Sequence, residues 1–484
     1  MRLTGEPLPL GRTSRPASPW RILAYLAAIG AGLLLFRSYQ EGRVLPLLLA
    51  TPTPTRTSSS HAEEGRTLFS AGRLGDAIGA YQLAVQVAPQ DAELGAELAR
   101  IQAYSSALLT TAPQKSARLA EARASIDAAT AANPDSPLVQ AVRTLVYDWS
   151  ASAAGGDERA RLLKEAEEAA VRALQLDPGS PLALAFYAEL LGDEGKFSQA
   201  FDLAESAAAQ ADPFDPLSMD VHRVFGTVLE GNAAYRQAIE EYQAAAEIAP
   251  NFTYLYLLIG ANYRILGGKA PLETDRRVLM DQALAAFDRA ARINEQLKIA
   301  DPTPYLAIGK TYLQDGEFFI AAINVERALA IDPSNPDTFG RLGITFFKAR
   351  NYEGAADVLR CAIEGCSAEE NGTLLCDLKV LVCDDQTDRA SVGQEVSGLP
   401  LSDSTVEYYY TYASVLTSFR GSPQFPDACA RAETLNQQLT ALYPDDPVLS
   451  GPNGIVAENR GLCAGTAPTP TTIPQPTPAS TPAP

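Results

Sequence analysis

Apolar and small residues recur along most of the chain at spacings of three and four, the pattern of helices that bury one face. The pattern comes in pairs of segments, and the clearest pair runs from 219 to 250 and closes with a proline. This pair contains Gly226, Ala238, the aromatic Tyr242 and Ala245. Each pair therefore predicts two helices with a short turn between them.

The same residue types return in a second unit, 302 to 333, and small residues are 34 positions apart in successive segments, as in Gly226 and Gly260 or Gly309 and Gly343. A period of 34 with these residue types resembles the tetratricopeptide repeat (TPR) family. The resemblance implies an all-α, right-handed superhelical solenoid of about nine TPR-like helical hairpins between 61 and 447, preceded by one transmembrane helix. Each hairpin buries its apolar face only by stacking on its neighbours.

The physical properties of these residues support the resemblance. Helices approach closely where small side chains meet, so Gly226, Ala238 and Ala245 favour tight packing and leave space for the ring of Tyr242. Pro250 has no amide hydrogen to continue a helix, so it predicts the end of the unit.

The sequence divides into seven parts by composition and repeat pattern. They are a cytoplasmic basic segment (1–21), a transmembrane anchor (22–39), a Pro/Thr linker (40–60), the TPR array (61–366), a cysteine-bearing insertion (367–403), a final hairpin with a cap (404–463) and a disordered Pro/Thr tail (464–484).

The anchor is predicted from an uncharged apolar run, Ile22 to Phe36. As a helix this run spans only about 23 Å of a hydrocarbon core of about 30 Å, but the stretch from Trp20 to Tyr39 reaches the length of about 20 residues that a span needs. A cleaved signal peptide is the alternative. The arginines before the run predict a cytoplasmic amino terminus and repeats on the extracytoplasmic side of a cell membrane.

All six cysteines fall in the last quarter of the chain, and an even, clustered set in irregular segments predicts disulfides and an oxidising compartment. They are Cys361, Cys366, Cys376, Cys383, Cys429 and Cys463. Six cysteines allow 15 pairings; we expect Cys429 with Cys463, and the other four to tie the insertion to the eighth hairpin. A zinc site is the less favoured alternative, because the spacing contains no CxxC pair.

The sequence contains no recognised catalytic or phosphate-binding motif, so we expect no enzyme activity, no cofactor and no metal. The net charge of −19, from 58 acidic and 39 basic residues, would repel a phosphate backbone, so we expect no nucleic-acid partner.

The resemblance implies that a protein or peptide partner binds in a groove lined by the first helix of each hairpin. In that register the groove positions are Arg223, Thr227, Tyr254, Arg264, Lys310, Gln314, Phe347 and Lys348. This set is more basic and aromatic than the whole chain, which suits an acidic or extended peptide; the alternative is that these are ordinary solvated side chains.

We therefore expect a membrane-anchored TPR scaffold that mediates protein–protein interaction on the extracytoplasmic side. The alternative is a structural or cell-wall-associated surface protein without a single defined partner. An enzyme accessory subunit is a third, less favoured possibility.

Overall fold

The computed structural model describes residues 18–40 and 56–465. Nearly all of the predicted tail (464–484) and most of the basic segment and of the linker lie outside these residues. Within them the regular elements are 22 helices, and the only β-type pairing is an isolated bridge between Cys366 and Val396. The expectation of an all-α helical repeat solenoid is confirmed. The chain forms two compact units that divide between Arg56 and Thr57.

The first unit contains one described helix, α1 (Pro19–Gln40). Apolar side chains on several sides of it are exposed, among them Trp20, Leu23, Leu26 and Leu33. Across 18–40 and 56–465, no helix has both the length and the apolar character that crossing a membrane requires. The anchor at 22–39 stays a prediction.

The second unit begins with eight helical hairpins. Their helices are α2 (Ser58–Ser70), α3 (Leu74–Val87), α4 (Ala92–Ala107), α5 (Ala112–Ala132), α6 (Pro137–Ser152), α7 (Gly156–Leu176), α8 (Pro181–Asp193), α9 (Phe197–Gln210), α10 (Ser218–Gly231), α11 (Tyr235–Ile248), α12 (Thr253–Lys269), α13 (Glu273–Leu297), α14 (Thr303–Asp315), α15 (Phe318–Ile331), α16 (Pro336–Lys348) and α17 (Tyr352–Glu364).

Five helices follow the hairpins. They are α18 (Ala368–Asp377), α19 (Arg389–Val392), α20 (Val406–Ser418), α21 (Ala428–Leu442) and α22 (Ile455–Ala464). α20 and α21 form a ninth hairpin, and α22 packs against both of them.

Several first helices begin in the same way, with a polar residue followed by proline. The hydroxyls of Ser136 and Ser180 accept hydrogen bonds from backbone N–H groups in the first turns of α6 and α8, and Pro137 and Pro181 are the first helical residues. The cap satisfies a free amide, and proline at this position loses no hydrogen bond. Pro137 and Pro181 therefore begin units, and they stand three residues after Pro134 and Pro178, which close the preceding ones.

A glycine in the first helix of several hairpins receives a large side chain from the second helix. A Cβ placed on Gly226 would lie 2.6 Å from Cε1 of Tyr242, and one on Gly260 would lie 2.5 Å from Cε1 of Phe287. Only a glycine allows this approach, because real Cβ contacts are essentially never shorter than 3.0 Å. The ring of Tyr242 fills the space that the small residues leave.

The buried apolar side chains of the described residues form two large clusters. One extends from Ala62 to Ala286 and the other from Ala322 to Val456. Between them, around α13 and α14, lies only a small cluster of Ala283, Phe287 and Ile308. The core is therefore thinnest where the sixth hairpin meets the seventh.

A disulfide joins Cys429 in α21 to Cys463 in α22, with Cα atoms 5.7 Å apart. This is the pairing that we expected, and it attaches the cap to the ninth hairpin. A crosslink of this kind stabilises mainly by restricting the unfolded chain.

The other four cysteines form two local disulfides, Cys361–Cys366 and Cys376–Cys383. The expectation that these four cysteines would tie the insertion to the eighth hairpin is wrong. Cys361–Cys366 lies within the hairpin, and Cys376–Cys383 joins two cysteines seven positions apart inside the insertion. Backbone bonds hold the insertion to the hairpin instead, since Cys366 and Val396 exchange N–H···O contacts of 3.0 and 2.9 Å. No described cysteine is free, so zinc ligation by these sulfurs is not supported.

We predict opposite effects from two glycine-to-alanine substitutions. Gly226→Ala places a methyl group against Tyr242 and should lower the free energy of unfolding by about 1–3 kcal/mol. Gly79→Ala lies inside α3 with no atom within 4 Å of the new methyl, and should raise it by about 0.5–1 kcal/mol. Urea denaturation measures both. Equal effects of the two substitutions would contradict the close packing of Gly226 on Tyr242.

Candidate binding groove

The first helices of successive hairpins contact one another in the series α4, α6, α8 and α10, and α12 contacts α14. Of these helices, α10, α12 and α14 carry six of the eight predicted groove positions, and α16 carries the other two. The geometry differs sharply between the two ends of the series.

In the amino-terminal half, Arg223 is completely buried. Its guanidinium donates two hydrogen bonds to the carboxylate of Glu189, at 2.6 and 2.7 Å, and a third to the hydroxyl of Tyr104 at 3.2 Å. The guanidinium carbon lies 5.3 Å from the ring centre of Tyr104 and 5.5 Å from that of Trp149. Arg223 therefore pairs with its own chain instead of facing an open groove.

A second buried pair adjoins the first. Arg100 on α4 donates a hydrogen bond of 2.8 Å to Asp220 on α10, and Tyr104 also donates to this carboxylate. Arg100 and Asp220 are 120 residues apart in sequence and almost completely excluded from solvent. Burial raises the pKa of Asp220, although the neighbouring Arg100 acts against this shift. We name Arg100, Tyr104, Glu189, Asp220 and Arg223 the interior ion network.

Further contacts close the early hairpins against later ones. The rings of Phe69 and Phe252 are 5.7 Å apart, and the side-chain amide of Asn335 donates a hydrogen bond of 2.7 Å to the hydroxyl of Thr110. The array thus folds back on itself, and its own side chains occupy the space between α4, α8 and α10.

Tyr254 also packs against the aromatic residues of the closed half. Its ring lies 6.2 Å from that of Trp149 and 5.8 Å from that of Phe252, and burial raises the pKa of Tyr254 to about 12. Its side chain serves the packing of the closed half. Of the eight predicted groove residues, Arg223 is therefore interior, and Tyr254 is partly buried.

An open cleft of about 700 Å³ lies between α12, α13 and α14, and we call it the cationic cleft. It is lined by Arg264, Ile265, Gly268, Arg276, Met280, Lys310, Gln314, Asp315 and Gly316. Three of the predicted groove residues, Arg264, Lys310 and Gln314, come together here.

Two cations of this cleft differ from the third in their pairing. Among the described residues no carboxylate lies within ion-pair distance of Arg264 or Lys310, whereas Arg276 pairs with Asp315. Burial lowers the pKa of Lys310, and the positive charges of Arg264 and Arg341 lower it further. Burial, followed by the charge of Arg341, also lowers the pKa of Arg264. The cleft therefore contains two cations that form no ion pair with the described part of the chain, although the charge of Glu407 partly opposes the lowering of the pKa of Lys310.

A neighbouring cleft of about 380 Å³, the acidic cleft, lies between α8, α10 and the beginnings of α9 and α11. It is lined by Glu189, Gly192, Asp193, Phe197, Thr227, Val228, Glu230, Gly231, Tyr235 and Ile265. Thr227, a fourth predicted groove residue, lies here, and Ile265 lines both clefts.

The last two predicted groove residues lie on α16. Phe347 is half-buried, with its ring 5.8 Å from that of Tyr352, and Lys348 is exposed in the last turn. Neither lines one of the two clefts. No group of three or more His, Cys, Asp or Glu suited to a metal ion occurs in 18–40 or 56–465.

The repeat pattern does not identify the interior ion network. Its members lie on first helices of different hairpins, and only their three-dimensional closure brings them together. One signal in the sequence was that charged residues of opposite sign, such as Arg100 and Asp220, occur on helices expected to bury apolar faces.

The environment of Asp148 on α6 generates a prediction about pH. Both of its carboxylate oxygens are buried and have no hydrogen-bond partner in the described part of the chain. Burial raises its pKa well above the ordinary value, the carboxylates of Asp193 and Glu189 raise it further, and Arg223 partly opposes the shift.

A raised pKa means that the folded state keeps a proton that the unfolded state releases above about pH 3.9. The associated stability is full below that pH and declines as pH rises through the folded pKa. Asp148→Asn cannot titrate, so its stability relative to the wild type should increase between pH 4 and pH 8. Asp148→Leu also removes the unpaired oxygens and should be more stable than the wild type at pH 8 by about 1–3 kcal/mol. Denaturation across this pH range measures both, and parallel curves for the wild type and Asp148→Asn would contradict the assignment.

No family model and no curated protein matches the chain. Solved structures do resemble it. A thermophilic TPR protein of Thermus thermophilus shares 19% identity with a TM-score of 0.31, covering 38% of this chain and 91% of its own. YrrB, a TPR protein with an unusual peptide-binding site, shares 17% identity with a TM-score of 0.29, covering 47% and 97%. Human IFIT1 in a dimer with PPP-AAAA shares 14% identity with a TM-score of 0.45, covering 80% and 92%.

These likenesses concern the fold and carry no functional assignment. Helical hairpins with a 34-residue spacing of small residues, a glycine that receives an aromatic ring, and stacked first helices are all present in the second unit. The chain has the fold of the tetratricopeptide repeat family.

Proposed function

We propose that the protein is a scaffold that binds a protein or peptide partner in the clefts along α8, α10, α12 and α14. The observation that carries this proposal is the pair of unneutralised cations, Arg264 and Lys310, in an open cleft of about 700 Å³. Arg264 is half-buried, and a charge held there without an ion-pair partner is costly. Lys310 is exposed beside it, and a ligand of opposite charge would pair with both cations.

The closed half of the array supports the same placement. Its interior ion network occupies the space between α4, α8 and α10, so a partner gains contact area mainly along the later first helices. Thr227, Arg264, Lys310 and Gln314 are the predicted groove residues that line an open surface.

An extracytoplasmic location is part of the proposal. Three disulfides consume all six cysteines, and structural disulfides persist mainly in oxidising compartments. The location is supported by this chemistry and by the arginines that precede α1 in the sequence.

Attachment to a membrane through residues 22–39 is the remaining part. The exposed apolar side chains of α1, including Leu23, Leu26, Ile29 and Leu33, support burial in an apolar environment. Trp20 and Arg21 precede them, in the positions of interfacial anchors.

A structural or cell-wall-associated role without a single partner is the competing proposal, and the acidic surface of the array favours neither. We keep the expectations of no enzymatic activity and no nucleic-acid partner. The second rests on the net charge of −19.

Cross-linking in intact cells with a membrane-impermeant reagent tests the scaffold. Gly268 lines the cationic cleft and a Cβ there meets no atom within 4 Å, so Gly268→Tyr should fill the cleft without changing its charge. Gly75→Tyr is the matched control, because Gly75 also has open space around it and lines neither cleft. We expect one dominant cross-linked partner for the wild type and for Gly75→Tyr, and a loss of at least about tenfold for Gly268→Tyr.

Two results would contradict the proposal. Cross-linking to many cell-wall components without a dominant protein would favour the structural role. A dominant partner that Gly268→Tyr captures as well as the wild type would place the binding surface outside the cationic cleft.

A further inference from the structure

The cationic and acidic clefts adjoin, since Ile265 on α12 lines both of them. The cationic cleft contains Arg264 and Lys310, and the acidic cleft contains Asp193 and Glu230. Two clefts of opposite charge along α8, α10, α12 and α14 therefore share one apolar side chain.

Three acids line the acidic cleft, and Glu189 pairs with Arg223. The other two, Asp193 and Glu230, form no ion pair with a cation of 18–40 or 56–465. Asp193 accepts a hydrogen bond of 3.2 Å from the hydroxyl of Ser152, and Glu230 accepts from the hydroxyl of Tyr242 and the amide of Asn262, at 3.1 and 2.8 Å. All three donors are uncharged. Burial, followed by the charge of Glu189, raises the pKa of Asp193.

The two ends therefore show the same electrostatic condition with opposite sign. Burial and the charge of Arg264 lower the pKa of Lys310, whereas burial and the charge of Glu189 raise the pKa of Asp193. In both cases the charged form is disfavoured. Such groups are satisfied by a ligand that brings the missing counter-charge, and the two sites would attract opposite ends of one ligand.

The acidic composition of the chain increases the contrast in charge between the cationic cleft and the rest of the surface. With a net charge of −19, most of the surface repels acidic segments, so the unneutralised cations of this cleft differ from their surroundings. The acidic cleft alone would attract basic segments, as many acidic surfaces do. The juxtaposition of both ends is what selects a particular ligand.

We propose that the partner docks through an extended segment with separated charges: an acidic group against Arg264 and Lys310, a basic group against Asp193 and Glu230, and an apolar residue over Ile265. This inference rests on the proposed function, because it names the chemistry of the partner that the scaffold binds. The ends have a fixed order, with the acidic group of the ligand beside α14 and its basic group beside α8 and α10.

Fluorescence polarisation with labelled peptides on the full-length protein tests the inference. The segregated probes carry three aspartates, a Gly/Ser spacer of four, six, eight or ten residues with one central leucine, and three lysines. For each spacer length a mixed probe has the same composition with aspartate and lysine alternating. We expect at least one segregated probe to bind about tenfold more tightly than its mixed counterpart at low salt, and the preference to shrink above about 0.3 M salt.

Three double variants assign the effect to the two ends. Arg264→Gln with Lys310→Gln should remove the preference, and so should Asp193→Asn with Glu230→Gln. Arg161→Gln with Lys164→Gln changes the net charge as much as the first pair does, on the exposed face of α7, and should leave the preference intact. Circular dichroism of each variant verifies that it is folded.

Each result decides between the proposals. Equal binding of segregated and mixed probes, absence of binding by all probes, or a preference that survives both cleft variants would overturn the separated-charge ligand. The scaffold would still stand if Gly268→Tyr loses the partner cross-linked in cells. If Gly268→Tyr and the charge variants all keep the cellular partner, the result counts against the groove itself.

Discussion

The arrangement of the array depends on the buried pairing of Arg223 with Glu189 and of Arg100 with Asp220. Buried charges are tolerated only when their partners and hydrogen bonds are nearly complete, and breaking one such pair leaves an uncompensated charge in the interior. The network therefore restricts how far α4, α8 and α10 can separate. A helical-repeat array held only by nearest neighbours could open gradually, whereas a pair that joins α4 to α10 couples hairpins that are distant in sequence.

This closure explains where the open surface lies. The space beside the early first helices is occupied by Arg223, Tyr104 and the rings around them, so the predicted groove is interrupted there. Beyond α12 the core thins to the cluster of Ala283, Phe287 and Ile308, and the cationic cleft opens at the same place. The charged residues that the closed half pairs internally have counterparts in the open half, Arg264 and Lys310, that are left for a ligand.

The repeat architecture was predictable because it depends on patterns of residues that are close together in the sequence. Gly226 and Tyr242 are 16 residues apart and recur with the period of the fold, so a single unit carries the information. The disulfide between Cys429 and Cys463 was also foreseeable, because one lies in the last hairpin and the other in the cap. The closure of the array was not predictable, since Arg100 and Asp220 are far apart in sequence and belong to no repeated position. For the same reason Arg223 was expected to face a partner, whereas its side chain on α10 pairs with Glu189 inside the array. The juxtaposition of the two clefts depends on the curvature of the array, which no local pattern specifies.

A double-mutant cycle between Arg100 and Asp220 tests the closure most directly. The variants are Arg100→Met, Asp220→Leu and the combination, and the measured quantity is the free energy of unfolding in urea. Arg100→Met leaves the buried Asp220 with only the hydrogen bond from Tyr104, and Asp220→Leu leaves the buried Arg100 with only Glu97 as its ion-pair partner. We therefore expect the double variant to be more stable than the sum of the single effects predicts, with a coupling of roughly 2–4 kcal/mol. Effects that add to within about 0.5 kcal/mol would show that α4 and α10 do not meet through this pair, and would contradict the closed array.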